Sequence, residues 1–155
     1  MSQTIAWCVR PYSAVKWLQL LCFLLIVVFL LDGRLQWWPY TAIFLGAILG
    51  IVIVAVLLLI NFFEINRSLA SKMPWLTVEF LINVALLAFT LVASGILIFD
   101  YFKMIGGDFH HHQYQPPANI GRDGWKMRIL IVLASALMAA LAFLYTTIQA
   151  KKRAR

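Results

Sequence analysis

Four long apolar blocks constrain this chain more than any other feature of its sequence. Residues 35–63 form a stretch of 29 residues without a charged side chain, and residues 129–150 form another of 22. The other two blocks, residues 14–31 and 75–99, carry one charge each. A helix needs about 20 mostly apolar residues to cross a bilayer. Each block therefore reaches or approaches the length of a membrane span.

The composition agrees with membrane insertion. Hydrophobic residues make up 63% of the chain and charged residues 12%, where a soluble domain has about 25% charged residues. A soluble fold of this size could not hide so much apolar surface, which excludes soluble enzymes and soluble binding modules. Continuously apolar blocks predict helices, because the strands of a membrane barrel alternate. We predict an all-α membrane protein, a four-transmembrane-helix bundle in one domain (residues 1–155), with spans at about 14–31, 40–63, 75–99 and 129–148.

A cleaved signal peptide is the competing interpretation of the first block. Arg10 and Lys16 resemble the basic region that precedes a signal core. The block ends in FLLDGRLQWW, however, which lacks the small-x-small pattern of a cleavage site. It is also long for a signal core, so we favour an uncleaved first span.

The distribution of basic residues predicts that both termini face the cytosol. The side that holds the termini and the second connection has eight basic residues, and the opposite side has five. Because the basic residues flank apolar blocks, the net charge of +7 indicates anionic lipid headgroups as partners of the basic tail, and not nucleic acid. The eight residues are Arg10, Lys16, Arg67, Lys72, Lys151, Lys152, Arg153 and Arg155; the five are Arg34, Lys103, Arg122, Lys126 and Arg128.

Polar residues inside the spans suggest one intramembrane site. Glu79 and Asn83 stand four positions apart and so share a helix face. Lys16 and Asn61 fall at the same depth, as do Gln19, Thr146 and Thr147, whereas the opposite half of the bundle has almost no polar residues. One hypothesis is a proton or cation site at Glu79. The hypothesis that we favour is a polar latch that ties helix ends together, with Glu79 facing Lys16, because a transport path needs polar groups across the whole membrane.

Small residues in the second span indicate close helix packing. Ala42, Gly46 and Gly50 are spaced by four, which lets another helix approach the backbone closely. The contact is either self-association with another copy or packing within the bundle. The spacing does not distinguish the two.

The two cysteines predict no disulfide, because Cys8 precedes the first span and Cys22 lies inside it. Cys8, next to a membrane span, is a candidate for palmitoylation. An inert thiol is the equal alternative.

The connection at residues 100–128 contains the histidine run His110-His111-His112 together with Gly and Pro pairs, so we expect an irregular, exposed loop. A metal site is not expected there, because only Asp108 stands near the histidines. Tryptophan and tyrosine residues at the ends of the blocks, such as Trp37, Tyr40 and Trp125, are expected to form the interfacial aromatic belt. The chain has no catalytic or cofactor-binding motif, so we expect neither an enzyme nor a bound cofactor.

The part of the chain from the second span onward resembles the MARVEL-domain four-span proteins, most of all the chemokine-like-factor type. The segment KMPWLTVEF, from Lys72 to Phe80, is similar to the family's Trp-Pro-Leu-Thr-Asp pattern at the start of the third span. It differs in that Pro74 precedes Trp75 and Glu79 stands one position beyond the expected acid. The alanine-rich fourth span with its basic end is also typical of the family. The resemblance implies a four-helix bundle with cytosolic termini and a non-enzymatic role in membrane organisation, vesicle traffic or regulation of partner membrane proteins.

Three functions remain open at the level of sequence. The first is a MARVEL-like scaffold in the plasma membrane or endomembrane vesicles that organises membrane or stabilises partner membrane proteins. The second is a small transporter or channel subunit that uses Glu79. The third is an accessory subunit of a larger membrane complex.

Overall fold

Four long helices and one short 3-10 helix form the protein in the computed structural model, which describes residues 11–63, 72 and 74–154. No strand occurs in that part of the chain. All four long helices are long and apolar enough to cross a membrane, which confirms the predicted four-span helical architecture. They are α1 (Pro11–Leu30), α2 (Trp38–Phe62), α3 (Trp75–Ile105) and α4 (Gly121–Ala154), with the 3-10 helix Leu31–Gly33 directly after α1.

The helices α3 and α4 extend well beyond the predicted spans at 75–99 and 129–148. Helix α3 continues through Asp100 to Ile105, and α4 begins at Gly121. The connection that was expected to run from residue 100 to 128 is therefore only residues 106–120, which we call the α3–α4 loop. The predicted spans were too short because hydropathy marks only the part of a helix that matches the apolar core of a bilayer. The helix itself continues until its backbone hydrogen bonds end.

Helix α1 lies between α2 and α4, and α3 packs mainly against α4. The core contains apolar side chains from all four helices, among them Phe23, Ala47, Leu97 and Phe143. Large apolar residues also cover the outer faces, with Leu49 and Leu141 as examples that are 60% and 69% exposed. Such a surface suits a lipid environment, because exposure of so much apolar area to water is unfavourable.

The bundle has two ends that differ in their connections. At the tail end, α1 and α3 begin and α2 and α4 end. At the loop end, the α1–α2 connection and the α3–α4 loop meet, joined by backbone hydrogen bonds from Gln113 (2.8 Å) and Tyr114 (3.1 Å) to the carbonyl oxygen of Gln36. Gly107, with φ of +83°, permits the turn by which the loop leaves α3.

Candidate functional site

A group of buried polar side chains lies at the loop end and is centred on Asp100. The carboxylate of Asp100 is fully buried on α3, near its C-terminal end. Three elements surround it: α2, the α3–α4 loop and the start of α4. We call this group the loop-end cluster; its members are Gln36, Tyr40, Asp100, His111, His112 and Trp125.

Each oxygen of Asp100 has defined partners. The Nε2 atoms of His111 and His112 lie 2.6 and 2.7 Å from Oδ1. The hydroxyl of Tyr40 donates a hydrogen bond to Oδ2 and itself accepts one from Nε1 of Trp125, at 3.2 Å. A buried carboxylate needs such partners, because the desolvation of an unpaired charge costs on the order of several kcal/mol.

Aromatic rings enclose the two histidines. The ring of Trp37 lies 4.8 Å from that of His111, and the ring of Phe109 lies 5.7 Å from that of His112, between centroids. The side chain of His112 is fully buried, and that of His111 is 16% exposed. The loop-end cluster is therefore shielded from solvent by the rings and by the loop itself.

The histidine run divides between two carboxylates. His110 is almost fully exposed and its Nδ1 lies 2.9 Å from Oδ1 of Asp108. Hydrogen bonds from the backbone and then the side chain of His110, together with the charge of Lys103, lower the pKa of Asp108 to about 2. His111 and His112 turn the other way, to Asp100. The expectation of an exposed loop thus holds for His110 and is wrong for its two neighbours.

Sequence reasoning also missed the burial of two aromatic residues at this end. Tyr40 and Trp125 were assigned to an interfacial belt, but both are fully buried and bonded to one another. Gly33 permits this, because a Cβ at that position would lie 2.2 Å from the Trp125 ring. The expectation that this half of the bundle has almost no polar groups is also wrong. Helix α3 extends to include Asp100, and the α3–α4 loop folds back over that residue.

The tail end carries the polar residues that the sequence placed at one depth. The ammonium group of Lys16 donates to Oδ1 of Asn83 at 3.2 Å, and the hydroxyl of Thr146 donates to the same oxygen at 2.8 Å. The amide of Gln19 donates to Thr146 at 3.3 Å. These bonds join α1, α3 and α4, and we call Lys16, Gln19, Glu79, Asn83 and Thr146 the tail-end cluster.

Glu79 is next to this network on α3, whereas Asn61 donates a hydrogen bond within α2. Glu79 is buried one turn before Asn83, whose side-chain amide donates to the Glu79 carbonyl oxygen. Asn61 is half-buried and donates to the carbonyl oxygen of Leu57 in its own helix. Cys8 lies outside the described residues.

Three phenylalanine rings fill the bundle between the two clusters. Phe23 of α1 lies 5.5 Å from Phe143 and 6.3 Å from Phe89, between centroids. The buried polar groups at this level, among the described residues, are the hydroxyls of Thr90, Ser94 and Ser135. Thr90 and Ser94 donate to carbonyl oxygens of their own helix.

The small residues of α2 pack against these rings. A Cβ on Gly46 would lie 2.4 Å from Phe89, and a Cβ on Gly50 would lie 2.7 Å from Phe23. Ala42 is exposed on the outer surface. Two of the three positions thus contact neighbouring helices of the same chain.

No family model, curated protein or solved structure matches this chain. The two polar clusters are separated along α3 by 17 positions from Asn83 to Asp100, about 26 Å at ~1.5 Å per residue. That distance approaches the thickness of a bilayer's hydrocarbon core, about 30 Å. The two clusters are therefore separated by nearly the thickness of such a core, with the phenylalanine rings between them.

Proposed function

We propose that this protein is a non-enzymatic, MARVEL-like four-span membrane protein that organises membrane or stabilises partner membrane proteins through its lipid-facing helices. In this proposal both termini are cytosolic, the chain resides in the plasma membrane or in endomembrane vesicles, and its basic tail meets anionic lipid headgroups. The single observation that carries it is the closed middle of the bundle, where Phe23, Phe89 and Phe143 separate the two polar clusters.

The closed middle favours a scaffold over a transporter. A transport path needs polar groups or water through the bilayer, whereas most buried side chains between the two clusters are aromatic or aliphatic. The exceptions among the described residues are the hydroxyls of Thr90, Ser94 and Ser135. The hydroxyls at that level are small, and those of Thr90 and Ser94 bond to their own helix. Polar groups at the two ends can then fix how the helices meet. At the tail end, this is the role of the latch that we propose for Lys16, Asn61, Glu79 and Asn83.

The apolar outer faces supply the surface for lateral partners. Every helix exposes large apolar residues, for example Leu21, Leu49, Val92 and Leu141. In a bilayer these positions can contact either lipid tails or the helices of another protein, since packing and not water exclusion drives helix association there. Lys151 and Lys152 are exposed on the last turn of α4, and we expect them to contact anionic headgroups.

The test separates the scaffold from the transporter by flux. The purified protein is reconstituted into liposomes that contain a pH-sensitive dye, and proton and alkali-cation flux is measured for wild type and Glu79→Gln. We expect both to match protein-free liposomes. A wild-type flux that Glu79→Gln abolishes would establish the transporter and overturn the scaffold.

A second measurement addresses the accessory-subunit alternative. The tagged chain is purified from native membranes in mild detergent, and its partners are quantified. A scaffold is expected to bring several membrane proteins in substoichiometric amounts. One partner set in fixed stoichiometry, without which the chain is degraded, would show an accessory subunit instead.

A further inference from the structure

We propose that Asp100, His111 and His112 form a binding site for a divalent transition-metal ion, for which Zn²⁺ is the best match. Three ligand atoms, one carboxylate oxygen and two imidazole nitrogens, all lie within 4.8 Å of one another. Imidazole and carboxylate are common zinc ligands, at about 2.0–2.2 Å from the metal. This site is independent of the lateral scaffold function.

The carboxylate–imidazole distances at Asp100 are shorter than those of a tetrahedral zinc site by less than about 1 Å. Ligand atoms at about 2.1 Å from a tetrahedral centre stand roughly 3.4 Å apart. In the structure, Oδ1 of Asp100 lies 2.6 Å from Nε2 of His111 and 2.7 Å from Nε2 of His112. A metal would therefore require these atoms to separate by roughly 0.7–0.8 Å, which small side-chain rotations can supply.

The charge at the site favours a cation. Asp100 is fully buried, and the ion-pair partners that the described residues give it are His111 and His112, with no lysine or arginine. Buried charges in proteins are paired or coordinate metals. A divalent ion held by two neutral imidazoles gives the carboxylate a cationic partner, with a net charge of about +1 on the site, and uses all three groups at once.

Two neighbouring residues are placed to orient the ligands. Nε2 of the Gln36 side chain lies 2.7 Å from Nδ1 of His112, and Oε1 of Gln36 is buried without a hydrogen-bond partner. A histidine that ligates through Nε2 carries its proton on Nδ1 and needs an acceptor there. Rotation of the Gln36 amide by about 180° supplies that acceptor, and Tyr40 holds Oδ2 of Asp100.

The enclosure indicates a structural site and not a catalytic one. Catalytic zinc keeps an open position for water or substrate, whereas structural zinc is fully enclosed by protein ligands. Here the hydroxyl of Tyr40 lies 3.1 Å from Nε2 of His112, and the side chains of Asp100 and His112 are fully buried, so protein groups surround the three ligand atoms. The ion would thus fasten the α3–α4 loop to α2 and α3.

The test begins with metal content and stability. The full chain is purified in detergent, stripped with a chelator, dialysed against Zn²⁺ and analysed for zinc per chain by mass spectrometry. We expect about one zinc per chain, and an unfolding midpoint higher by on the order of 5–10 °C when free zinc is about 100 times its Kd. Wild type that retains no zinc and has the same midpoint with chelator would overturn the proposal and leave an imidazole–carboxylate pair only.

Matched histidine variants locate the site. His111→Gln removes one ligand at the partly exposed edge of the cluster, and it should weaken zinc affinity at least about tenfold. His110→Gln is the control, because His110 points to Asp108, and it should leave affinity unchanged. Equal losses in both variants would show that the histidine run binds zinc as an exposed tract, which would contradict the site at Asp100.

Discussion

The amide oxygen of Asn83 accepts hydrogen bonds from two other helices, one from the ammonium of Lys16 at 3.2 Å and one from Thr146 at 2.8 Å. One side chain on α3 thereby fixes the positions of α1 and α4 at the tail end. Polar bonds of this kind between membrane helices contribute about 0.6 kcal/mol on average and up to about 1.7. The bond from Lys16 is expected to contribute more than this average, because removing the acceptor of a buried charge is strongly destabilising.

We predict that Asn83→Leu destabilises the protein more than Thr146→Val. The first change takes an acceptor from the lysine and from the threonine, and we expect a loss of about 2–3 kcal/mol. The second removes one neutral hydroxyl, for an expected loss of about 1 kcal/mol. Thermal unfolding of both variants in the same detergent gives the comparison. Equal stability of Asn83→Leu and wild type would show that the lysine does not depend on this oxygen.

We predict that Glu79→Gln is expressed and localised almost normally, whereas Glu79→Leu is not. Glutamine keeps the shape and most of the hydrogen-bonding capacity of the buried side chain. Leucine removes both and leaves polar neighbours at the tail end to snorkel or to lose a partner. Quantitative fluorescence of a tagged protein and gel filtration in detergent measure expression and dispersity. Normal behaviour of Glu79→Leu would contradict the latch.

The tail-end cluster was accessible to sequence reasoning because its members are local to the spans. Lys16 and Glu79 are the single charges of two otherwise uncharged blocks, and alternation of the spans puts them at the same end. Their depth follows from counting residues along a helix. Which donor meets which acceptor does not follow, because helix rotation decides it; the bond from Thr146 to Asn83 is such a case.

We predict that Gly50→Leu and Gly46→Leu destabilise the monomer itself. A side chain at either position would overlap a phenylalanine ring, Phe23 or Phe89, and overpacking typically costs about 1–3 kcal/mol. Ala42→Leu, on the exposed part of the same strip, is the matched control and should unfold like wild type. The unfolding midpoint in detergent tests all three. A glycine variant with wild-type stability but lost self-association would assign the strip to contact between copies.

We predict that a tag placed after the last residue is protected from protease added to intact cells. The reason is the eight-to-five excess of basic residues on the side of the termini. Permeabilised cells, in which the tag should be digested, are the control. Digestion in intact cells, or glycosylation of Asn66 in the second connection, would reverse the orientation.

The loop-end cluster was not accessible from the sequence, for two physical reasons. A charged residue at the edge of an apolar block ends a hydropathy plot but does not end a helix, so Asp100 was assigned to a loop. The loop then brings His111 and His112 back to it, a contact across 11 and 12 positions that no helical or strand period predicts. The remaining signal was the short distance in sequence between one aspartate and three histidines.

We predict that Tyr40→Phe destabilises the loop end although it keeps the aromatic ring. The hydroxyl of Tyr40 donates to Asp100 and accepts from Trp125, so its removal leaves a buried indole N–H without its acceptor and a carboxylate oxygen without its donor. Unsatisfied buried groups cost about 1–3 kcal/mol each. Tyr114→Phe is the control, because Tyr114 is exposed on the same loop, and it should change stability by less than about 0.5 kcal/mol. Thermal unfolding in detergent measures the global loss, and hydrogen exchange of the α3–α4 loop should show faster exchange in Tyr40→Phe only. Unchanged exchange in that variant would mean that the phenol does not hold the loop-end cluster together.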